Sequence, residues 1–177
     1  MRIVALDSVT LIHAFKELLS GVSYPDRERE MSGRANILIQ SLDIEGATIV
    51  VPTVVVAEYL TGIEPEHHDA TMNTFRESFE TPPFDLKAAM ISAKLWRAHR
   101  GLTASDQLAR NVLKSDVLII ATAKAFGVTH YYSDDKGSRR LAEQAGLVAY
   151  DLPERSPYLI PDAVTPVRPK KSPPPKP

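Results

Sequence analysis

The chain of 177 residues contains no cysteine. This absence excludes disulfide bonds, a thiolate metal site and a cysteine nucleophile. Its five histidines lie along the sequence without the short regular spacing of metal ligands. The adjacent His67 and His68 would point to different faces of a helix. A zinc site is therefore not expected.

The chain also lacks an apolar run long enough to span a membrane. Its N-terminus enters a strand pattern at once, without the basic region and apolar segment of a secretory signal. Together these features predict a cytoplasmic protein. A composition of 44% hydrophobic and 24% charged residues fits one domain with a single core.

Most of the chain has no excess of basic residues. The net charge is −1, but the segment from Pro166 onward carries four basic residues and no acidic one, which leaves −5 on the remainder. An acidic body argues against a general nucleic-acid-binding surface. Any polynucleotide would have to be held locally, by metal ions and a few basic side chains.

Prolines are concentrated at the C-terminus, where nine of the fourteen fall within the last 25 residues. Proline lacks a backbone donor and restricts φ, so this stretch cannot form a helix or a central strand. We predict one domain over residues 1–152 and an extended, partly disordered, basic tail over residues 153–177. Both a partner-docking peptide and a linker remnant remain open for the tail.

Short apolar segments alternate with amphipathic ones along the first 152 residues. The pattern predicts five strands, at residues 2–6, 47–51, 84–86, 129–133 and 147–152. Helices are predicted from Ser8 toward Gly21 and over residues 32–42, 53–62, 66–79, 87–100 and 138–145, with a helix or turn at 105–113 and a helix from 115 to 127. Residues 23–30 are predicted to form an exposed loop. This alternation indicates an α/β fold with a mostly parallel sheet covered on both faces.

Four acidic residues are predicted to meet at one edge of that sheet. Asp7 and Asp135 follow strands, Glu58 lies in the helix that leaves the second strand, and Asp116 is predicted to begin a helix. Ligands of parallel sheets bind at the carboxyl ends of the strands. Carboxylates that converge there need a counter-charge. All-oxygen ligation suits Mg²⁺ or Mn²⁺, so the pattern favours a metal-dependent enzyme that cleaves phosphodiester bonds.

Each acid also has a simpler interpretation. Asp7 could cap a helix, and Glu58, which lies close to buried surface, could form a salt bridge with an arginine. Asp116 could be stabilised by a helix macrodipole, and Asp134 with Asp135 could form a polar turn. The convergence of all four positions on one face makes these separate explanations less attractive.

The same residues lie in four ordered blocks that resemble the PIN domain family of Mg²⁺/Mn²⁺-dependent ribonucleases, which includes the toxins of VapBC-type toxin–antitoxin pairs. The blocks are Ile3-Val4-Ala5-Leu6-Asp7, the segment from Pro52 to Gly62 with Glu58, the segment from Ser115 to Ala123 with Asp116, and the segment from Tyr132 to Ala142 with Asp135. The resemblance covers residues 2–152. It implies a three-layer α/β/α sandwich around a mostly parallel five-stranded sheet.

The resemblance further implies that Asp7, Glu58, Asp116 and Asp135 bind Mg²⁺ (or Mn²⁺) and are the catalytic residues. Ser133 occupies the family's Ser/Thr position. Gly137 and Ser138 replace the acidic and aromatic residues common in the family, so Asp134 competes with Asp135 for the role of fourth acid.

The implied reaction is metal-assisted hydrolysis of RNA. Ser133, Lys136 and Arg139 are candidates for substrate contacts, whereas Arg140 fits a solvated helix face better. The family implies a cognate antitoxin and a homodimer as further partners. The alternative is a catalytically silent PIN-like module that binds RNA or protein. A phosphatase of the haloacid dehalogenase type is rejected, because Val9 stands where that chemistry needs a second aspartate.

Overall fold

The computed structural model describes residues 2–15, 25–98 and 107–154, without the side chains of residues 107–113. Four strands are formed by β1 (Ile3–Leu6), β2 (Thr48–Val50), β3 (His130–Tyr132) and β4 (Val148–Tyr150). Seven helices are α1 (Ser8–Phe15), α2 (Asp26–Ile44), α3 (Thr53–Leu60), α4 (His68–Ser78), α5 (Leu86–Ala98), α6 (Gln107–Phe126) and α7 (Lys136–Gln144) within these ranges, and a 3₁₀ turn (Pro65–His67) precedes α4.

The sheet has the strand order β2-β1-β3-β4, and all its pairings are parallel. In the central strand β1, the consecutive residues Val4, Ala5 and Leu6 are all fully buried. Side chains of a strand alternate between the two faces, so burial of consecutive residues requires cover on both. The predicted α/β fold with a covered parallel sheet is confirmed.

The predicted fifth strand at residues 84–86 is wrong. Instead, a single backbone bridge joins Glu80 to Val50 on the outer edge of β2. The N–H of Glu80 donates to the carbonyl of Ile49 at 3.0 Å, and the N–H of Thr53 donates to the carbonyl of Pro82 at 3.0 Å. Pro82 and the proline after it have no N–H to extend this pairing. Among the described residues the sheet therefore has four strands.

The predicted exposed loop over residues 23–30 is wrong from Asp26 onward, where α2 begins. Pro25 precedes the helix, and Asp26 and Glu28 place negative charge in its first turn, where the macrodipole favours it. The buried face of α2 starts only at Met31. The exposed first turns are polar for that reason, and polarity alone suggested a loop.

A helix start at Asp116 is also contradicted, because α6 runs without a break from Gln107 to Phe126. Its described sequence contains neither glycine nor proline, so nothing local ends it between the two predicted segments. Asp116 therefore lies in the middle of a 20-residue helix. At this position the terminal macrodipole effect has faded.

Several sequence predictions fall outside the described residues. These are the end of α1 toward Gly21, the end of α5 at residues 99–100, and nearly all of the predicted tail, of which only Pro153 and Glu154 are described. No helix in the described part of the chain is long and apolar enough to cross a membrane.

Candidate metal centre

Asp7 is the most deeply placed acid of the candidate site. It follows β1 directly and only 4% of its surface is exposed. Its Oδ1 accepts a hydrogen bond from the N–H of Thr10 at 2.7 Å, so Asp7 caps α1, as in its simpler interpretation from the sequence. Its Oδ2 accepts from the hydroxyl of Ser133 at 2.6 Å. Protein donors thus fix the carboxylate, with one hydrogen bond to each of its oxygens.

Ser133 connects two of the predicted site acids. It is fully buried after β3, and its Oγ donates to Asp7 while accepting from the N–H of Asp135 at 3.0 Å. The backbone N–H of Ser133 donates to the carbonyl of Tyr150 at 3.1 Å. This serine therefore fixes the distance between the segments that carry Asp7 and Asp135.

Asp135 caps α7, since its Oδ1 accepts from the N–H of Ser138 at 2.7 Å. The sequence prediction began this helix at Ser138, two residues later than its first residue, Lys136. Asp135 is exposed, and the neighbouring Asp134 is half-buried. Both acids therefore stand at the carboxyl end of β3, close to Asp7.

Asp116 is the electrostatic centre of the site. Its pKa is raised to about 7, chiefly by burial and then by the negative charges of Asp135, Asp7 and Glu58 in that order, while a hydrogen bond from Ser138 opposes the rise. Asp116 lies ten positions before Phe126, the last residue of α6, which places it about 15 Å along the helix from that end. This distance brings Asp116 to the level of the carboxyl ends of the strands.

Burial also raises the pKa of Asp7, to about 6, with a smaller contribution from Asp134, although hydrogen bonds from Ser133 and Thr10 act in the opposite direction. Tyr131 lies fully buried behind the site, and its hydroxyl is 2.8 Å from the Oγ of Ser138. Burial and the charge of Asp7 raise the pKa of Tyr131 well above its usual range. The site therefore disfavours negative charge on Asp7 and Asp116.

Glu58 is half-buried on α3, and its Oε1 accepts from the hydroxyl of Ser115 on α6. The arginine partner considered from the sequence is not found among the side chains that the structure describes. Those side chains also form no ion pair with Asp7, Asp116 or Asp135. The four acids, which we call the acidic site, thus gather without a described basic partner.

The predicted substrate-contacting residues have different surroundings. Lys136 is exposed in the first turn of α7, and Ser133 is buried beneath the site. Arg139 is already bonded within the protein: its Nη1 donates to the carbonyl of Ser133 at 2.5 Å, and its Nη2 lies 3.2 Å from Oδ2 of Asp151. Of the two basic residues, Lys136 has the side chain that extends into solvent.

The donor set of the acidic site fits Mg²⁺ or Mn²⁺, because all its ligand atoms are carboxylate oxygens. Within the described ranges, no three acidic or histidine side chains lie close enough together to enclose an ion by themselves. Mg²⁺ commonly binds through one or two carboxylates and completes its coordination with water and substrate phosphate. The residues therefore fit such a partly hydrated ion, and they do not form a closed protein cage.

Comparison with known proteins identifies the family. The PIN domain family matches residues 19–144. The chain belongs to the PIN domain family. PIN domains are generally nucleases that use divalent metals. The matched range contains Glu58, Asp116 and Asp135, whereas Asp7 lies before it and is brought to the site by the fold.

Solved structures of low sequence identity share this fold. A chain of VapBC2 from Rickettsia felis, bound to a DNA fragment from the promoter, has a TM-score of 0.53 and 16% identity and covers 84% of this chain and 98% of its own. A chain of DNA-bound VapBC from Salmonella typhimurium has a TM-score of 0.51 and 19% identity and covers 86% and 99%. No curated protein sequence matches the chain. At these identities the agreement establishes a fold like that of VapBC chains.

Two serines of the site were not assigned a role from the sequence. Ser115 bonds Glu58, and Ser138 contacts Tyr131, Asp116 and Asp135. Ser138 stands three residues after the capping Asp135, the position whose N–H a cap residue bonds. That spacing could have identified the N–H of Ser138 as the partner of Asp135. The contact of Ser115 depends on how α3 and α6 pack and has no local sequence pattern.

Proposed function

We propose that the chain is a Mg²⁺- or Mn²⁺-dependent endoribonuclease that hydrolyses phosphodiester bonds in single-stranded or structured RNA. The observation that carries this proposal is the position of Asp116. It lies in the middle of a helix, facing three other acids, and its pKa is raised to about 7. Neither a helix terminus nor a described basic residue stabilises its charge. A protein gains no stability from such an arrangement, so a bound cation is the simplest reason for it.

A bound Mg²⁺ would polarise the phosphate, lower the pKa of a bound water and stabilise the leaving oxygen. Asp7, Glu58, Asp116 and Asp135 would hold it, either directly or through water molecules of its coordination shell. Asp7 enters this task already oriented by Thr10 and Ser133. A fixed carboxylate loses little conformational entropy on binding a ligand, which favours the assembly of the site.

Phosphate contacts are assigned to Lys136. Its side chain is exposed in the first turn of α7, directly after Asp135. A backbone phosphate near the metal would then find both the ammonium group and the positive end of the helix dipole. Because the body of the protein is acidic, these local contacts have to provide the attraction for RNA.

The cellular role that we propose is the toxin of a type II toxin–antitoxin pair, acting in the cytoplasm. The similar solved chains come from VapBC complexes bound to DNA. A cognate antitoxin and a homodimer are the partners expected for such a toxin. A short DNA-binding protein encoded beside this gene, and a dimer mass by sedimentation, would support this role.

The nuclease proposal is tested with Asp7→Asn and single-stranded RNA in the presence of Mn²⁺. We expect cleavage to fall at least about 100-fold, since loss of groups that only support metal ligands already costs 10–100-fold. We expect the melting temperature without metal to stay equal or rise, because a buried charge is removed while Asn can still accept from Thr10. Asp69→Asn, on an exposed position of α4, is the matched control.

The alternative is a silent PIN-like module that binds RNA or protein. It would bind RNA equally well with and without Mn²⁺, and neither the wild-type protein nor Asp7→Asn would cleave it. Metal-independent binding without cleavage would therefore overturn the nuclease proposal. Loss of folding in Asp7→Asn would instead assign Asp7 a structural role.

A further inference from the structure

A second charged cluster lies beside the acidic site, and here the charges are paired. Asp151, just after β4, lies between two arginines: its Oδ1 is 3.1 Å from Nη2 of Arg34 on α2, and its Oδ2 is 3.2 Å from Nη2 of Arg139 on α7. Arg34 also donates to the carbonyls of Leu152 at 2.5 Å and Pro153 at 3.0 Å. We call Arg34, Asp151 and Arg139 the arginine–aspartate cluster.

Arg139 connects this cluster to the acidic site. Its side chain is only 15% exposed, and its Nη1 donates to the backbone carbonyl of Ser133 at 2.5 Å. The planar guanidinium reaches the carbonyl with one nitrogen and Asp151 with another. A single ammonium group cannot reproduce this two-ended geometry.

Every polar group of Ser133 consequently has a partner. Its N–H donates to Tyr150, its carbonyl accepts from Arg139, and its hydroxyl bonds both Asp7 and Asp135. Of these partners, Arg139 alone is a cation. Because Ser133 is fully buried, loss of the arginine would leave its carbonyl without a charged donor in a region that water does not reach.

We propose that Arg139 is a positioning residue of the metal centre. It fixes the Ser133 segment, so that the serine hydroxyl holds Asp7 in the orientation needed to bind the cation. Asp151 pairs with Arg139, and Arg34 pairs with Asp151. This inference rests on the proposed function, and it replaces the phosphate contact predicted for Arg139 from the sequence.

Outer contacts of this kind typically change metal affinity by 10–100-fold. We therefore expect Arg139→Ala to weaken Mn²⁺ binding about tenfold or more. Asp151→Asn keeps the bond from Arg139 to Ser133 and removes only the ion pairs, so we expect its Mn²⁺ affinity to change less than about threefold. Arg140→Ala is the matched control, because Arg140 is the next residue of the same helix and is exposed.

The measurement is a titration of each folded variant with Mn²⁺ alone, with free ion followed by its electron paramagnetic resonance signal. Melting temperatures are recorded in parallel, and the titration is done well below the lowest of them. A purely structural role predicts a lower melting temperature for Arg139→Ala with unchanged Mn²⁺ affinity. That result would overturn the inference, as would equal weakening in Arg139→Ala and Arg140→Ala.

If Arg139→Ala does not fold, Arg139→Lys takes its place. Lysine keeps the charge but cannot hold Ser133 and Asp151 together, so several-fold weaker Mn²⁺ binding is expected, and wild-type affinity would contradict the inference. Failure of the wild-type protein to bind Mn²⁺ would contradict the proposed function itself. Wild-type binding with unchanged binding in the variants would contradict the positioning role alone.

Discussion

Asp116 and Asp151 are the same residue type in opposite electrostatic settings. Asp151 is 49% exposed and lies between two guanidinium groups. Asp116 is partly buried and faces three carboxylates, whose charges add to burial in raising its pKa. Among the residues that the structure describes, Asp151 has two basic partners and Asp116 has none.

This difference indicates where the fold supports function at the expense of stability. The arginine–aspartate cluster joins α2, α7 and the end of β4, so its charges hold elements together. The acidic site joins α1, α3, α6 and α7 with charges that repel each other. Perturbed carboxylates that cluster in this way are typical of functional sites.

The largest effect that would test this contrast is expected from Asp116→Asn. We expect Mn²⁺-dependent RNA cleavage to fall at least about 100-fold, because a proposed metal ligand is lost. Cleavage is measured as initial rate on single-stranded RNA at pH 8. A rate within threefold of wild type, in a folded variant, would contradict the assignment of Asp116 to the site.

Asp134→Asn and Asp135→Asn sharpen the contrast by identifying the fourth acid. The charge of Asp135 acts on Asp116, whereas that of Asp134 acts on Asp7. We expect Asp135→Asn to lower the cleavage rate about tenfold or more and Asp134→Asn by less than about threefold. Asn at position 135 can still cap α7, so helix loss does not explain the result. The reverse order of effects would assign the role to Asp134.

The sequence predicts those parts of the site that follow from local patterns, but not the contacts between residues that are far apart in the chain. Asp7 and Asp135 are predictable because each directly follows an apolar strand, and a parallel sheet aligns the ends of its strands. The setting of Asp116 is not predictable in the same way, since Ser115 and Asp116 imitate a helix start in the middle of α6. The ion pair between Arg139 and Asp151 is also not predictable, because the two residues come close only when α7 packs beside β4.

The fold likewise contains elements that a local sequence pattern predicts and pairings that it does not. The three-residue strands β3 and β4 lie within the predicted strands at residues 129–133 and 147–152, which contain aromatic and aliphatic residues and are bounded by turn residues. The predicted fifth strand follows Pro82 and Pro83, whereas the backbone pairing with β2 occurs before these prolines, at Glu80. Edge pairing of one residue leaves no periodic pattern from which to predict it.

The pH dependence of stability offers a smaller effect. The folded-state pKa values of Asp7 and Asp116, about 6 and about 7, lie above the ordinary value of 3.8. The folded protein therefore binds protons more tightly, and the stability from these groups is complete below about pH 4 and is lost as pH rises through 7. We expect Asp116→Asn to unfold at a higher temperature than wild type at pH 8 without metal, and this gain to shrink at pH 5.

Mn²⁺ should reverse that loss, since it supplies the missing positive charge. At 100 times its dissociation constant it would stabilise the wild-type protein by about 2.7 kcal/mol at pH 8. The stabilisation should be smaller at pH 5, where protons compete for the same carboxylates. Thermal unfolding with and without Mn²⁺ at both pH values measures it. Equal stabilisation of wild type and Asp116→Asn would place the ion elsewhere.

Asp151→Asn should give the smallest effect and the opposite sign from Asp116→Asn. It removes two ion pairs from a half-exposed carboxylate, so we expect a loss of about 1 kcal/mol or less in the free energy of unfolding. The measurement is denaturant unfolding of both variants at pH 8 without metal. Removal of a paired charge should destabilise the fold and removal of an unpaired one should stabilise it. If both variants lose stability, the acidic site is electrostatically balanced in the absence of metal, and the contrast drawn between the two aspartates does not hold.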